Sequence, residues 1–369
     1  MKLSRAQVIA YRVAAQGLHR QGSEARGLAV LDIGVQDSGS DGARLALDAR
    51  LKATPPADGI GPGKPLALAW SLRGAPHVHR RRDLDSLAAA LWPLSEADAT
   101  GRLNETGPSV ARAGIAALDQ YAIAVDAMRA VVTAPMGKGA ASTAVTKRIP
   151  PQMRRNCRVC KAHHISDSAM RPAALGAGLE LEPGTSPPVL LPRSKARAAT
   201  GPDVAAMRKL IIAYLRLLGP ATSGDVAGYF DARRADIEQI WPAKLVEVTV
   251  DGRTSWLPAA VVDEVRSAQP ADVVRLLGPF DPYLQARDRH LIVPDVSVHK
   301  ALWPVLGRPG VIFADGEAVG TWRTKAAGPT LTITVQEFVP LPPSVRARID
   351  DEAERVAGVR GATEVRVRG

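Results

Sequence analysis

The chain has 369 residues, 46% of them hydrophobic and only 4% aromatic, with a formal net charge of +11 and a pI near 10.0. That length suggests several modules rather than one core, no apolar run is long enough to cross a bilayer, and the N-terminus lacks the apolar region of a signal peptide. A soluble, cytoplasmic protein with a polyanionic partner is expected, and two cysteines are too few for a disulfide framework.

In chain order, residues 4–15 read as an amphipathic helix and 43–51 are apolar at helical spacing. A Pro/Gly loop at 54–65 leads to two short strands within 66–80, broken near Gly74-Ala75-Pro76, and 83–92 reads as another helix. Residues 1–107 therefore form a first winged-helix-like unit. A second, 108–200, opens with a long helix at 109–132. A glycine turn at 136–142 then lets Ser142 cap a short helix, 143–148, and 164–176 is read as helical. The pair 179–182 and 189–191 closes that unit like a wing.

The third unit, 201–270, is the clearest. Lys209 to Leu218 is apolar at helical spacing and stops at Gly219-Pro220, Thr222-Ser223-Gly224-Asp225 caps a helix at 226–230, and 232–240 reads as a third. Leu245 to Val250 alternates at period two, turns at Asp251-Gly252 and returns through Trp256. Three helices followed by a hairpin is the pattern of a winged helix. Residues 271–369 then read as short strands, including Leu291-Ile292-Val293, with a tight turn at Asp315-Gly316, a charged helix at 343–356 and a last strand. The fold class is α+β: tandem winged-helix units packed with a small C-terminal β-barrel-like domain.

Basic charge is concentrated. Residues 137–198 hold eleven Lys or Arg against three acids, an excess of eight, and His79-Arg80-Arg81-Arg82 is a second basic knot. On a chain with a helix-turn-helix pattern this is a candidate phosphate footprint, with His77, His79, Arg80, Arg81, Arg82, Lys138, Lys147, Arg148, Arg154 and Arg155 as candidate DNA ligands. His77 and His79 fall on one strand face, where they either meet phosphate or an abasic sugar, or are one core and one solvated histidine. Cys157-x2-Cys160-x2-His163-His164 carries half of a zinc-site spacing. Four ligands from eight residues are sterically difficult, so reduced structural thiols and no cofactor are the expectation, with zinc at these four as the alternative. Gly61-Pro62-Gly63-Lys64 and Gly137-Lys138-Gly139 lack the rest of a nucleotide loop.

Leu277-Gly278-Pro279-Phe280-Asp281-Pro282-Tyr283-Leu284-Gln285-Ala286-Arg287-Asp288-Arg289, then Leu291-Ile292-Val293-Pro294 and Val319-Gly320-Thr321-Trp322-Arg323, resembles the β-domain signature of the AlkZ-like winged-helix DNA glycosylases. Ser71-Leu72-Arg73-Gly74-Ala75-Pro76-His77-Val78-His79 is similar to that family's arginine-glycine-histidine segment, and the likeness runs from about residue 5 to 340. The resemblance implies three winged helices around a C-terminal barrel, a basic cleft for duplex DNA, and a catalytic Gln-apolar-Gln or Gln-apolar-Asp pair early in the chain. Gly34-Val35-Gln36-Asp37 is the matching stretch: Gln36 stands at the second motif position, while Gly34 replaces the first carboxamide. Gln36 and Asp37 are the candidate catalytic residues, Gln36 to hold a water and Asp37 to act as base or offset positive charge at the sugar; the other reading makes them a turn and a helix cap. No lysine in the motif offers a Schiff-base nucleophile. The function implied is monofunctional removal of N7-alkylated or bulky, crosslinked purines from duplex DNA by a monomer. A winged-helix DNA-binding protein without catalysis is the alternative.

Overall fold

The computed structural model describes residues 1–39, 41–103 and 107–369. It divides into two compact units, one of Met1–Asp58, Ala213–Asp225 and Ala243–Gly369, the other of Gly59–Ile212 and Val226–Pro242.

In the first unit the helix Arg5–Ala15 begins at a capping box, in which Ser4 and Gln7 each accept from the other's backbone N–H. Its Val8 and Tyr11 pack with Val248, Val250, Leu257, Val261 and Val265. Strand Leu245–Val250 pairs antiparallel with Arg253–Pro258, and the two-residue strand Lys2–Leu3 lies parallel to it. Asp251 and Gly252 both take positive φ, 48° and 81°, as the tight hairpin turn requires.

The C-terminal module of this unit is a half-barrel of five strands, Val274–Leu277, Gly310–Ala314, Glu317–Ala327, Thr330–Glu337 and Glu364–Arg368, in sequence order. The first and last strands do not pair with each other, so the barrel stays open. Helix Pro343–Arg360 links the last two strands, which run parallel, and lays Ile349, Ala353 and Val356 against Ile312, Trp322 and Ile333. It runs past the expected 343–356 because its stop is Gly361, whose φ of 71° ends the helix in the left-handed region. Gly310 is required by packing: a Cβ there would lie 2.2 Å from the Trp322 ring, whose Nε1–H donates to the Leu277 carbonyl at 3.0 Å. The strand expected at Leu291-Ile292-Val293 is instead the short helix Arg289–Ile292. The Arg289 carbonyl accepts the Val293 N–H, and only Ile292 of that turn is buried.

Two buried ion pairs tie the N-terminal residues of this unit to the C-terminal ones. Arg50 and Asp281 are both 0% exposed and meet through two 2.8 Å bonds, with Gln16 Oε1 and the Ala46 carbonyl taking further guanidinium protons. Arg12 makes the same kind of fork on Asp288, at 2.5 and 3.1 Å, and its Nε–H donates to the Gly219 carbonyl.

In the second unit the strands Pro76–Arg80, Leu66–Trp70, Leu179–Leu181, Val189–Pro192 and Met136–Gly137 lie side by side in that order, and each neighbouring pair is antiparallel. The single helix expected at 109–132 is two, Gly107–Arg112 and Ala117–Val131, separated at Gly114 with φ +73°. Ser142 is not a cap: helix Lys138–Arg148 already starts at Gly137, and the Ser142 carbonyl accepts from Thr146 Oγ1. Helix Asp167–Gly176 begins later than expected, because Ser166 caps it by accepting the Ala169 N–H. That leaves His164 on a strand, Ala162–Ile165, paired with Arg154–Cys157 in a hairpin the sequence did not announce. Between 204 and 258 the helices Val204–Leu218, Ser223–Phe230 and Arg234–Gln239 precede the hairpin in the expected order.

The buried Arg50–Asp281 pair generates a stability prediction. Asp281→Ala leaves an uncompensated buried guanidinium and should cost about 3–5 kcal/mol. Replacing both partners, Arg50→Met with Asp281→Leu, should recover most of it. Urea-unfolding midpoints check both; an unshifted midpoint for Asp281→Ala means that the pair does not hold this unit together.

Candidate active site

The stretch carrying Gln36 and Asp37 is shaped by its neighbours. Ile33 and Val35 are buried, and strand alternation turns Gln36 away from them, where it is half-buried and its carboxamide makes no hydrogen bond among the described residues. Gly34 has φ +79°. An L-residue in that region costs about 1–2 kcal/mol, so the absent first carboxamide is explained by backbone conformation, and a Gly34→Gln replacement would be strained.

Asp37 is also half-buried. Its Oδ1 accepts the Ala43 N–H at 3.0 Å, so the carboxylate caps the helix Gly42–Asp48 from six residues upstream. Its other oxygen has no partner among the described residues. Burial raises its pKa from the ordinary value, the Ala43 N–H opposes that, and Asp41 adds to it. The helix it caps is fixed at both ends: Arg360 Nε donates to Asp41 at 2.6 Å and Arg355 grips Asp48 at 2.7 and 3.0 Å. Leu45, on the same helix, is buried among the half-barrel side chains.

The expected DNA ligands of the second unit divide. His77 and His79 are each 2% exposed on strand Pro76–Arg80, with rings 6.0 Å apart. His77 Nδ1 bonds the Ala75 carbonyl at 3.0 Å and His79 Nε2 bonds Ser71 Oγ at 2.9 Å. Burial drives both pKa values down, His79 to about 3, and so disfavours a charged ring at either position. They are not exposed phosphate contacts, which corrects the expectation for that pair. Arg80 is buried too, and Arg81 is engaged by Glu180 at 2.7 Å and by the Lys64 and Gly61 carbonyls. Of the basic knot only Arg82, 81% exposed, projects into solvent. Lys138 is paired with Asp167 at 2.8 Å, and Arg154 caps the Ile149 carbonyl. Lys147 and Arg148 are exposed in the last turn of their helix, while Arg155 is half-buried on the hairpin.

A cavity of about 360 Å³ in this unit, lined by Arg73, Trp92, Tyr121, Asp167, Arg171 and Phe230 among others, was not legible in the sequence. Arg73 lies 5.2 Å over the Tyr229 ring and Arg171 5.6 Å over Trp70. Aromatic walls with fixed cations suit a planar group. Its lining is spread from Ser71 to Asp231, so no local motif marked it.

Of the four Cys/His positions, Cys157, Cys160 and His164 come together, with their ligand atoms all within 4.8 Å of one another. His163 is not in the cluster. Hydrogen bonding from the Cys160 backbone, the largest influence, lowers the Cys157 thiol to about 6, and the neighbouring Cys157 pushes the Cys160 thiol up.

The comparisons with known proteins agree with one another. A family model described as DNA glycosylase AlkZ-like matches residues 26–359. A Streptomyces sahachiroi protein named interstrand DNA cross-link repair glycosylase is 29% identical over 183 residues, which is 45% of this chain and 46% of that protein. The match thus spans about half the length of that curated relative. The solved structure of Streptomyces sahachiroi DNA glycosylase AlkZ is similar over 100% of both chains, with a TM-score of 0.75 at 21% identity, a likeness of fold. With the family model covering nearly the whole sequence, the chain belongs to the AlkZ-like DNA glycosylase family.

Proposed function

We propose that this chain is a monofunctional DNA glycosylase that hydrolyses the N-glycosidic bond of N7-alkylated or bulky, crosslinked purines in duplex DNA. The observation that carries the reading, within this family, is the pairing of a Gln36 carboxamide with an Asp37 carboxylate fixed through one oxygen, the carboxamide and the other carboxylate oxygen having no partner among the described residues. The architecture read for it is three tandem winged helices with the half-barrel, acting as a monomer in the cytoplasm on nucleoid DNA.

The chemistry asks little of the protein. An N7-alkylated purine is cationic, so the electrons of the C1′–N9 bond leave with it and neutralise it. Gln36 holds a water by accepting a hydrogen bond from one of its O–H groups, which stays intact in the product. Asp37 stabilises the sugar cation and takes the water's other proton as the oxygen bonds to C1′. Capping and catalysis are compatible in Asp37: the Ala43 N–H fixes the orientation of the carboxylate, and burial makes it a stronger base than a solvated aspartate.

The rival, a DNA-binding protein without catalysis, draws support from the same cap and from Gly34, since both give the stretch a structural purpose. Incubation with duplex containing N7-methylguanine or a bulkier N7 adduct separates the two. Free base and an abasic site are expected; no release with enzyme in large excess leaves the rival. Gln36→Ala should cut excision about a hundredfold with duplex affinity nearly unchanged.

Asp37 must be ionised to act. Because burial raises its pKa, excision should fall on acidification with a midpoint above the ordinary aspartate range, near 3.8, and Asp37→Asn should remove that limb of the single-turnover profile. A limb that survives in Asp37→Asn assigns the base elsewhere.

DNA affinity should be electrostatic, with log affinity falling by about 0.9 per neutralised phosphate for each unit of log salt. The exposed cations Arg82, Lys147 and Arg148 are the ones to replace by Gln, each lowering that slope if it meets a phosphate. A slope unchanged in the triple variant, measured by fluorescence anisotropy, puts the DNA path on another surface.

A further inference from the structure

We propose that the hairpin Arg154–Cys157/Ala162–Ile165 is a zinc site, with Cys157 Sγ, Cys160 Sγ and His164 Nε2 as three protein ligands and water completing a tetrahedron. The hairpin is tethered to helix Lys138–Arg148 through the Ile165 N–H on Thr146 Oγ1 and is anchored by Arg154 on the Ile149 carbonyl, but it has little apolar cover of its own. Of its eight strand residues only Cys157 and Ile165 are buried. A two-stranded hairpin with so little apolar cover is marginal in water.

Its geometry is already that of a ligand set. Cys157 pairs with Ala162 across the strands, and Ala162 and His164 share a face by alternation, so Cys157 and His164 project to the same side. His163, opposite Asn156, projects to the other, which is why it is not among the clustered residues. Bond lengths of about 2.3 Å to sulfur and 2.0 Å to nitrogen place tetrahedral ligands roughly 3.5–3.8 Å apart. A triad within 4.8 Å meets that with small side-chain rotations.

Two further observations point to a cation. His164 Nδ1 donates to the Ile165 carbonyl at 2.6 Å, which fixes the tautomer and leaves Nε2 with its lone pair. That Nε2 is fully buried beside the Cys157 sulfur and makes no hydrogen bond of ordinary geometry among the described residues. A buried ring nitrogen facing two sulfurs is an uncompensated acceptor unless a cation fills the space. The Cys160 N–H also donates to Cys157 Sγ at 3.4 Å, a contact that favours a metal-bound thiolate. Lys161, next in the turn, is held at φ +51°, a strain that the closed knuckle must offset. Two thiolates and a neutral imidazole cancel the charge of Zn²⁺, and the ion would fix the turn that carries Arg158, the exposed Val159 and Lys161.

The test uses the untagged full-length chain. Metal analysis of protein purified without chelators should give one zinc per chain. After removal of zinc by a chelator, Co²⁺ titration should produce visible tetrahedral bands and a near-ultraviolet sulfur-to-metal charge-transfer band that saturate at one equivalent. Cys157→Ser, Cys160→Ser and His164→Ala should each weaken Co²⁺ binding by more than about a hundredfold, since outer-shell partners alone account for about 10–100-fold. His163→Ala should leave it unchanged, and His164→Cys should keep binding and strengthen the charge-transfer band. Circular dichroism of each variant controls for folding, and the wild-type Co²⁺ titration stands without them. A wild-type chain that takes up no Co²⁺, one whose Cys157 and Cys160 form a disulfide in reducing buffer, or binding that follows His163 and not His164 overturns the proposal.

Discussion

The buried Arg50–Asp281 fork is the constraint on which the first unit depends. Both side chains are wholly removed from water, and each guanidinium or carboxylate left alone there would carry a desolvation cost of several kcal/mol. The pair therefore exists only if residue 50, at the end of one early helical stretch, and residue 281, in the turn after the first half-barrel strand, arrive together. Asp281 also accepts the Tyr283 N–H, so the same carboxylate shapes its own turn. The neighbouring Arg12–Asp288 fork repeats the logic seven residues further on. This is the physical content of the Phe280-Asp281-Pro282-Tyr283 to Arg287-Asp288-Arg289 signature. Its acids are anchors for the N-terminal arginines Arg12 and Arg50.

The same pattern continues along helix Gly42–Asp48. Arg360 holds Asp41 at its start and Arg355 holds Asp48 at its end, both from the closing helix of the half-barrel. Under the proposed function, a loop that presents a carboxamide and a carboxylate gains from resting on an element pinned at both ends. Asp37 completes the arrangement by binding the helix's own N-terminal N–H. The proposed catalytic role of Asp37 and its observed capping are therefore compatible, since the Ala43 N–H also orients the second carboxylate oxygen.

Legibility in the sequence followed the range of the interactions. The Asp251-Gly252 and Asp315-Gly316 turns, the amphipathic opening helix and the strands at 66–80 were readable because backbone conformation and alternation are local properties. The break at Gly114 and the early start of helix Lys138–Arg148 were missed because propensity is weak where alanine and glycine dominate. The hairpin around Cys157 was invisible for a different reason. Arg154-Arg155-Asn156 has no apolar face to announce a strand, and what organises it is the meeting of side chains from both strands.

Charge was the most misleading signal. Arg80-Arg81-Arg82 reads as one basic knot, yet burial takes Arg80, Glu180 and two carbonyls take Arg81, and only Arg82, loosely paired with Asp83, projects into solvent. His77 and His79 went the same way, enclosed where burial disfavours their charged forms. Formal charge counts protons and not their surroundings. A guanidinium that has found a carboxylate inside the fold contributes to architecture, and the field that a polyanion feels is set by what is left over. In this chain the exposed remainder includes Lys147, Arg148 and the turn after Cys157, which lie within a span of fifteen residues. The field that a polyanion meets follows these exposed cations, Arg82 among them, and not the total of +11.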